Sequence, residues 1–237
     1  MREIINLNTK WAFSKEATTV PETMPESWYW VTLPHTWNAI DGQDGGNDYY
    51  RGTCYYAKEI DLLELLEGNR PDHARYYIEF KGANSSADLY VNGKKYAHHD
   101  GGYSTWRVDI TDALEEKALV TVAVDNHANE EVYPQQADFT FYGGLYRDVE
   151  LIVVPESHFD LEYYGGPGIK VTPEINGADA KIGVEAYVTN PQAGQELVYR
   201  LLDANKNVVA EGKSAASESK VSLTIDNVHL WNGKKDP

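Results

Sequence analysis

The chain has 237 residues and a formal net charge of −16, and hydrophobic residues make up 42% of it. That hydrophobic fraction can supply a packed core, so a disordered chain is not expected. The negative charge repels phosphate backbones and anionic lipid surfaces, so we expect neither nucleic acid nor a membrane as a partner. The single cysteine, Cys54, excludes a disulfide scaffold, and its apolar neighbours predict a small buried side chain rather than a nucleophile.

The N-terminal residues, MREIINLNTKWAFSK, include no apolar segment of signal-peptide length. No other stretch of the sequence reaches the apolar length of a membrane span. From these two observations we expect a cytoplasmic protein.

Short runs of strand-forming residues dominate the first part of the chain. In chain order they are RYYIEF (75–80), ADLYV (87–91), KYAHH (95–99), ALVTVAV (118–124) and LYRDVELIVV (145–154). Asn92-Gly93 predicts a type I′ hairpin, because both central residues of that turn need positive φ. Residues 61–68 and 111–117 predict a helical turn or two each, the second capped by Thr111 or Asp112. Residues 1–155 therefore predict an all-β domain, an antiparallel jelly-roll sandwich.

A compositional break falls near Pro155, because most of the tyrosines and tryptophans precede it. The remainder predicts five or six short strands separated by turn residues, at 169–175, 180–190, 196–204, 208–214 and 220–228. Strands of this length and spacing are typical of an immunoglobulin-like β-sandwich. We therefore expect a second domain over residues 156–237.

Several specific motifs occur in a fixed order along the chain. They are PHTWN (34–38), YYRG (49–52), LYVNG (89–93), VAVDN (122–126), YGGLYRDV (142–149) and LWNGKKDP (230–237). The ordered set resembles the N-terminal half of family 2 glycoside hydrolases, above all the β-galactosidases, and the resemblance covers essentially the whole chain.

The resemblance implies a galactose-binding-like jelly roll, an immunoglobulin-like domain and then a catalytic (β/α)8 barrel. It places both catalytic glutamates of a retaining β-galactosidase in that barrel, so we expect no catalytic residue in this sequence, a second sandwich truncated at its last strand, and no activity of the chain alone. The implied partners are β-linked galactosides or related sugars, the protein's own barrel and further copies in a homo-oligomer. Three alternatives stay open: a free-standing carbohydrate-binding module, a β-glucuronidase or β-mannosidase of the same family, and a purely structural domain.

Asp138 heads the aromatic run DFTFYGGLYRDV. From the residues alone it could simply cap a loop before a strand. The resemblance implies instead that Asp138 binds a sugar hydroxyl and a sodium ion in the barrel's pocket, a role that suits a carboxylate. The acidic loop DGQDGGND (41–48) resembles the loop that lines the outer part of that pocket, with Asn47 and Asp48 as candidate sugar ligands. We expect no cofactor in this chain, and sodium and magnesium in a full-length enzyme.

Other polar residues have structural interpretations. Arg147-Asp148 are expected on one strand with opposite directions and structural ion pairs. Asn129-Glu130 resembles the family's acid/base dipeptide, but its position after a first-domain strand predicts a solvated loop. The histidines show no ligand spacing: His35 predicts a structural hydrogen bond rather than a zinc ligand. His98 and His99 are expected on opposite faces of a strand, and Tyr103 is expected to be buried beside a turn.

Overall fold

The computed structural model describes residues 2–41, 49–137 and 139–234. The chain divides into two compact units, Met1–Pro155 and Glu156–Pro237. Both units are built almost wholly from β-strands, so the predicted all-β fold class is confirmed.

Ten strands are present in the described part of the first unit. They are β1 (Glu3–Asn6), β2 (Trp11–Ser14), β3 (Tyr29–Val31), β4 (Thr53–Asp61), β5 (Ala74–Phe80), β6 (Ser86–Val91), β7 (Lys94–Asp100), β8 (Trp106–Asp109), β9 (Lys117–Asp125) and β10 (Val149–Pro155). They make two antiparallel sheets, in the orders β1-β10-β5-β8 and β3-β2-β4-β9-β6-β7. Neighbours in a sheet are often distant in sequence, as β10 is from β1, so the chain crosses between the sheets as a jelly roll requires.

One hydrophobic core joins the two sheets. Alternate residues of β9 point into it, namely Ala118, Val120, Val122 and Val124. The opposite sheet contributes the inward residues of β5 and β10, including Ile78, Phe80, Leu151 and Val153. The predicted hairpin between β6 and β7 is confirmed, because Asn92 and Gly93 both have positive φ, at 50° and 77°.

Helical structure in this unit is shorter than the sequence predicts. Helix α1 (Leu62–Leu65) is one turn, and the Asp61 carboxylate caps it by accepting hydrogen bonds from the amides of Leu63 and Glu64. The predicted helix at 111–117 is reduced to a 3-10 turn, Thr111–Ala113. Thr111 and Asp112 do not cap this turn; the Asp109 carboxylate accepts from the Thr111 amide instead. The helix cannot extend because Lys117 already pairs with Asp61 as the first residue of β9.

The strand predicted at 145–154 was placed too early. β10 begins at Val149, and residues 145–148 precede it. The backbone here bonds to distant loops instead. Gly144, just before this segment, forms an isolated bridge with Asn84, and the carbonyl of Leu145 accepts a hydrogen bond from the His35 amide at 2.8 Å. Backbone groups committed to those partners cannot join the ladder of β10.

The second unit is a smaller set of antiparallel strands. They are β11 (His158–Phe159), β12 (Ile169–Asn176), β13 (Asp179–Ala186), β14 (Val188–Thr189), β15 (Glu196–Leu202), β16 (Val208–Ala215) and β17 (Lys220–Ile225), with a 3-10 turn at Tyr163–Gly165. The sheets have the orders β12-β13-β17, β15-β16 and β11-β14. The first two share a core that includes Ile182, Val184 and Leu223, with Tyr199 and Leu201 packed against it.

Within the described ranges, no helix is long and apolar enough to span a bilayer.

We expect the two units to differ in local stability. Residues of β4 and β9 alternate into a large core, whereas no residue of β15 is fully buried. Because regions with few buried apolar contacts open more easily, amide hydrogens of β15 and β16 should exchange faster than those of β4 and β9. Hydrogen exchange of the whole chain followed by mass spectrometry measures this, and equal protection of the two strand pairs would contradict it.

Candidate functional site

The three residues predicted to bind sugar, Asp138, Asn47 and Asp48, lie outside the described residues, as does the predicted sodium ligand, which is again Asp138. Their roles stay predictions. The structure does describe the residues that flank positions 42–48 and the rest of the aromatic run.

A buried pair of asparagines joins these two segments. Asn38 and Asn126 are both fully buried, and the Asn126 Nδ2 donates to the Asn38 Oδ1 at 3.3 Å. Asn38 also donates to the Asp41 carboxylate at 2.5 Å and to the Tyr50 carbonyl at 3.0 Å, so it contacts residues on both sides of positions 42–48. The Gly143 amide donates to the Asn38 Oδ1 at 2.8 Å, which attaches the aromatic run to the same side chain.

The second asparagine completes this network. Its Oδ1 accepts from the Gly52 amide at 2.8 Å, and its Nδ2 donates to the Tyr50 carbonyl at 3.1 Å. The Oδ1 and Nδ2 atoms of both asparagines therefore have hydrogen-bond partners, which a buried polar pair needs in order to be stable. We call this set the asparagine network: Asn38, Asp41, Tyr50, Gly52, Asn126 and Gly143.

The network explains why several distant motifs occur together. Asn38 ends PHTWN, Tyr50 and Gly52 belong to YYRG, Asn126 ends VAVDN, and Gly143 lies in YGGLYRDV. Four segments that are far apart in sequence thus meet at one buried point. The sequence resemblance identified the motifs, but no single motif signals that they are in contact.

Close packing explains why the aromatic run has glycine at positions 143 and 144. A Cβ on Gly143 would overlap the ring of Trp37, which is itself buried. Gly144 has a φ of 125°, and a Cβ there would lie 2.6 Å from the His35 carbonyl and 2.7 Å from the Tyr56 hydroxyl. The chain therefore passes against PHTW more closely than any side chain would allow.

Four aromatic rings follow one another beside this crossing point. Tyr103 stacks on Tyr133 at 4.6 Å, Tyr133 on Phe141 at 5.9 Å, and Phe139 lies 4.9 Å from Phe141. The outer members are open to solvent, with Phe139 63% and Tyr103 52% exposed. The exposed rings offer apolar faces, and the tyrosine hydroxyls add polar groups, a combination that suits contact with a sugar.

We call these four rings, Tyr103, Tyr133, Phe141 and Phe139, the aromatic ladder. Hydrogen bonds fix two of them in place. The Tyr133 hydroxyl donates to Asn84 at 2.5 Å, and Asn84 donates in turn to the Tyr142 carbonyl at 2.7 Å. Burial raises the pKa of Tyr133, and the neighbouring Tyr103 raises it further, so this hydroxyl stays protonated at neutral pH. The Tyr49 hydroxyl donates to the Phe141 carbonyl, which ties the ladder to the end of the 42–48 loop.

The expectation that Tyr103 is buried is wrong. Tyr103 lies in the turn between β7 and β8, where its ring stacks on Tyr133 but is 52% exposed.

The prediction for Arg147-Asp148 is wrong about the strand and about Arg147, whereas the ion pair expected of Asp148 is present. Neither residue is in a strand, because β10 starts one residue later. Arg147 donates to the carbonyls of Lys81 and Tyr103 rather than to a carboxylate. Asp148 accepts from Asn8 at 2.8 Å and lies 3.9 Å from the Lys81 ammonium.

The other structural interpretations are confirmed. The His35 Nδ1 lies 2.8 Å from the Tyr56 hydroxyl, which is the expected structural hydrogen bond. Cys54 is fully buried, and burial raises the pKa of its thiol to about 12, so it is no nucleophile. Asn129 is half-buried and donates to Ser86, while Glu130 is exposed in the expected solvated loop.

The two adjacent histidines face opposite sides of β7. His99 stacks on Trp106 at 5.1 Å, whereas His98 lies between two carboxylates, 2.6 Å from Asp88 and 2.8 Å from Asp100. The hydrogen bond to Asp88, with that to Asp100, raises the pKa of His98. Among residues 2–41, 49–137 and 139–234, no group of three or more His, Cys, Asp and Glu side chains is arranged to hold a metal ion.

Comparison with known proteins finds that this chain is similar to the N-terminal part of known glycosidases. Residues 39–155 match the domain described as glycosyl hydrolases family 2, sugar binding domain. A β-glucuronidase of Bacteroides fragilis is 32% identical over 100% of this chain and 34% of its own length. A β-galactosidase of Thermoanaerobacterium thermosulfurigenes is 30% identical over 99% of this chain and 35% of its own length.

A solved structure is similar over nearly the same span. The FMN-binding β-glucuronidase from Faecalibacterium prausnitzii L2-6 has a TM-score of 0.81 and 38% identity, covering 98% of this chain and 35% of that one. The chain thus spans about a third of the length of the relatives it matches.

Replacing Asn38 by Asp tests the asparagine network. The substitution Asn38→Asp keeps the shape but removes two donors and sets a second carboxylate against Asp41. We expect a loss of about 3 kcal/mol or more in the free energy of unfolding at neutral pH, because a buried charge is left without compensation. Urea unfolding measures the loss, and Asn69→Asp, at an exposed asparagine, is the matched control.

The sign of the pH dependence gives a second readout. Burial and Asp41 should raise the pKa of the introduced carboxyl above its unfolded value of about 3.9. The folded variant then binds more protons than the unfolded one, so its deficit should grow as pH rises from about 4 towards 7. A deficit that is small and independent of pH would contradict a buried network.

His98 should contribute to stability in a pH-dependent way. Its folded pKa is raised, so its contribution is fully present below the unfolded pKa of about 6.5 and is lost as pH rises through the folded value. We therefore expect wild type to exceed His98→Gln in Tm near pH 6 by more than near pH 9. Thermal unfolding of both proteins across this range measures it; a constant difference would contradict the ion pairs.

Proposed function

The chain belongs to family 2 of the glycosyl hydrolases, and we propose that its first unit serves as the sugar binding domain of a retaining β-glycosidase. The match to that domain begins at residue 39 and ends at Pro155, the last residue of the first unit. Because the chain spans about a third of its relatives, the activity proposed is that of a protein of the relatives' length.

For the substrate we propose a β-linked glucuronide. The observation that carries this choice is the similarity to the Faecalibacterium prausnitzii β-glucuronidase, at 38% identity over 98% of the chain. The Bacteroides fragilis β-glucuronidase supports the same choice.

A β-linked galactoside is the second candidate. The sequence resemblance pointed to β-galactosidases first, and the Thermoanaerobacterium thermosulfurigenes β-galactosidase is 30% identical over nearly the whole chain. A putative β-galactosidase structure from Bacteroides fragilis also covers 99% of this chain at 27% identity, with a TM-score of 0.76. The free-standing binding module becomes the better description only if the chain binds sugar tightly alone.

Within such an enzyme, this chain would shape one wall of the substrate cleft. The asparagine network fixes both ends of the 42–48 loop and the base of the aromatic run. We propose that Asn47, Asp48 and Asp138 reach the sugar from these two segments. Rigid support beneath the contact residues is what a site needs in order to hold its ligands in a productive geometry.

Two chimeras test the proposal and its substrate. In each, this chain replaces the aligned part of a relative: the Faecalibacterium prausnitzii β-glucuronidase or the Thermoanaerobacterium thermosulfurigenes β-galactosidase. We expect the first to hydrolyse nitrophenyl β-glucuronide within about tenfold of its parent, and the second to retain a smaller share of its parent's kcat/KM, because the first relative is more similar. Chimeras no better than deletions of the same part would contradict the proposal.

The chain alone is the control. Retaining hydrolysis needs two carboxyl groups about 5 Å apart, and the resemblance matches neither family glutamate to this sequence. The isolated chain should therefore hydrolyse neither substrate. In the active chimera, Asp138→Asn should lower kcat/KM by roughly tenfold to a hundredfold through a lost charge-assisted hydrogen bond, with Tm unchanged. A lowered Tm with unchanged kcat/KM would make Asp138 structural.

A further inference from the structure

A cavity lies outside the asparagine network, between Arg51 and the segment 128–136. Its volume is about 720 Å³. The residues that line it are Arg51, Ala128, Asn129, Glu130, Pro134, Gln135 and Gln136. We call it the Arg51 cavity, after the only cation among these lining residues.

The guanidinium of Arg51 is fixed in place by neutral groups. It donates to the Gln135 carbonyl at 3.1 Å, to the Gln135 Oε1 at 3.3 Å and to the Asn126 carbonyl at 3.4 Å. The ring of Tyr49 packs 5.0 Å from the guanidinium carbon. Across the described part of the chain, no carboxylate forms a salt bridge with Arg51, so its positive charge is preserved in a protein of net charge −16.

Gln135 supplies a second donor that has no partner. The residue is only 8% exposed, yet its Nε2 is buried without a hydrogen-bond acceptor. The Oε1 of the same amide accepts from Arg51, which fixes the orientation of the group. A buried N–H without an acceptor is unfavourable, and native structures rarely keep one unless water, an ion or a ligand satisfies it.

These two observations define the ligand's chemistry. Arg51 and Gln135 both line the cavity, and a guanidinium and an amide N–H both donate, so together they match the two oxygens of a carboxylate. Asn129 and Gln136, on the same cavity, offer amide groups that suit hydroxyls. We infer that the Arg51 cavity binds the carboxylate of a uronic acid residue in the substrate, separate from the sugar that is cleaved. The choice of a uronate rests on the proposed glucuronide specificity.

One lining residue opposes an anion. Glu130 is exposed at the cavity, and its carboxylate repels a bound uronate. This gives the inference an opposite-sign test, because Glu130→Gln should strengthen uronate binding while changes at Arg51 or Gln135 weaken it.

The experiment is a titration of the whole 237-residue chain followed by the side-chain amide signals in ¹⁵N NMR spectra. Glucuronate is the probe, and glucose, which lacks the carboxylate, is its matched control. We expect a saturable shift of the Gln135 amide signal with glucuronate, at an affinity about tenfold or more above that for glucose. The signal is assigned by its loss in Gln135→Glu.

The variants separate binding from folding. Gln135→Glu places a carboxylate against Arg51, so binding should be lost while Tm stays equal or rises. Arg51→Gln should also abolish binding. Arg70→Gln is the matched control, since Arg70 likewise donates to backbone carbonyls and packs 5.5 Å from a tyrosine ring, and it should leave glucuronate binding unchanged.

Three outcomes would overturn the inference: equal shifts with glucose and glucuronate, no saturable shift at all, or equal affinity for inorganic sulfate and glucuronate. Because binding is measured on this chain alone, it is distinguishable from the proposed function. A chimera that hydrolyses glucuronides while the chain ignores glucuronate refutes the cavity only. Uronate binding beside inactive chimeras refutes the enzyme only.

Discussion

The hydrogen bond between Asn38 and Asn126 is the constraint on which the first unit's loop end depends. Both side chains are fully buried, and the hydrogen bond between them is supplemented by bonds to backbone groups from two further segments. In a low-dielectric interior such a network strongly favours one arrangement, because any slip leaves several polar atoms unpaired at once. The two sheets form a stable sandwich, and the asparagine hydrogen bonds fix the positions of the segments that connect its strands.

The core that stabilises the first unit and the contacts proposed for ligand recognition lie in different parts of it. The core residues of β4, β5, β9 and β10 bury the apolar surface. The connecting segments carry the exposed ladder of Tyr103, Phe139 and their neighbours, together with the donors of the Arg51 cavity. Contacts to a ligand can therefore change in these segments without altering the packing of the sheets, which is the usual arrangement for binding loops on rigid scaffolds.

The sequence predicted those features that depend on local patterns. Period-two alternation located most strands, and Asn92-Gly93 located a hairpin, because each is decided by residues close together in the chain. Two errors share a cause. Residues 145–148 have strand composition and 114–117 have helical composition, but each is taken by a distant partner, His35 in one case and β4 in the other. Propensity cannot anticipate such tertiary competition.

The candidate site was predictable only in part for the same reason. Resemblance marked the motifs, but Arg51 and Gln135 are 84 residues apart, and nothing local signals that one side chain orients the other. That the Gln135 Nε2 has no acceptor follows only from the positions of all the polar atoms around it in the folded chain.

Cys54 has a practical consequence. Its thiol is buried in the core and stays protonated far above physiological pH, so reagents that require a thiolate should not react with it. Since it is the only cysteine in the sequence, the native chain already behaves as a cysteine-free background for labelling. A cysteine introduced at an exposed position, such as Phe139, would be the single reactive handle, and a dye or spin label placed there would report ligand arrival at the aromatic ladder without any change to the core.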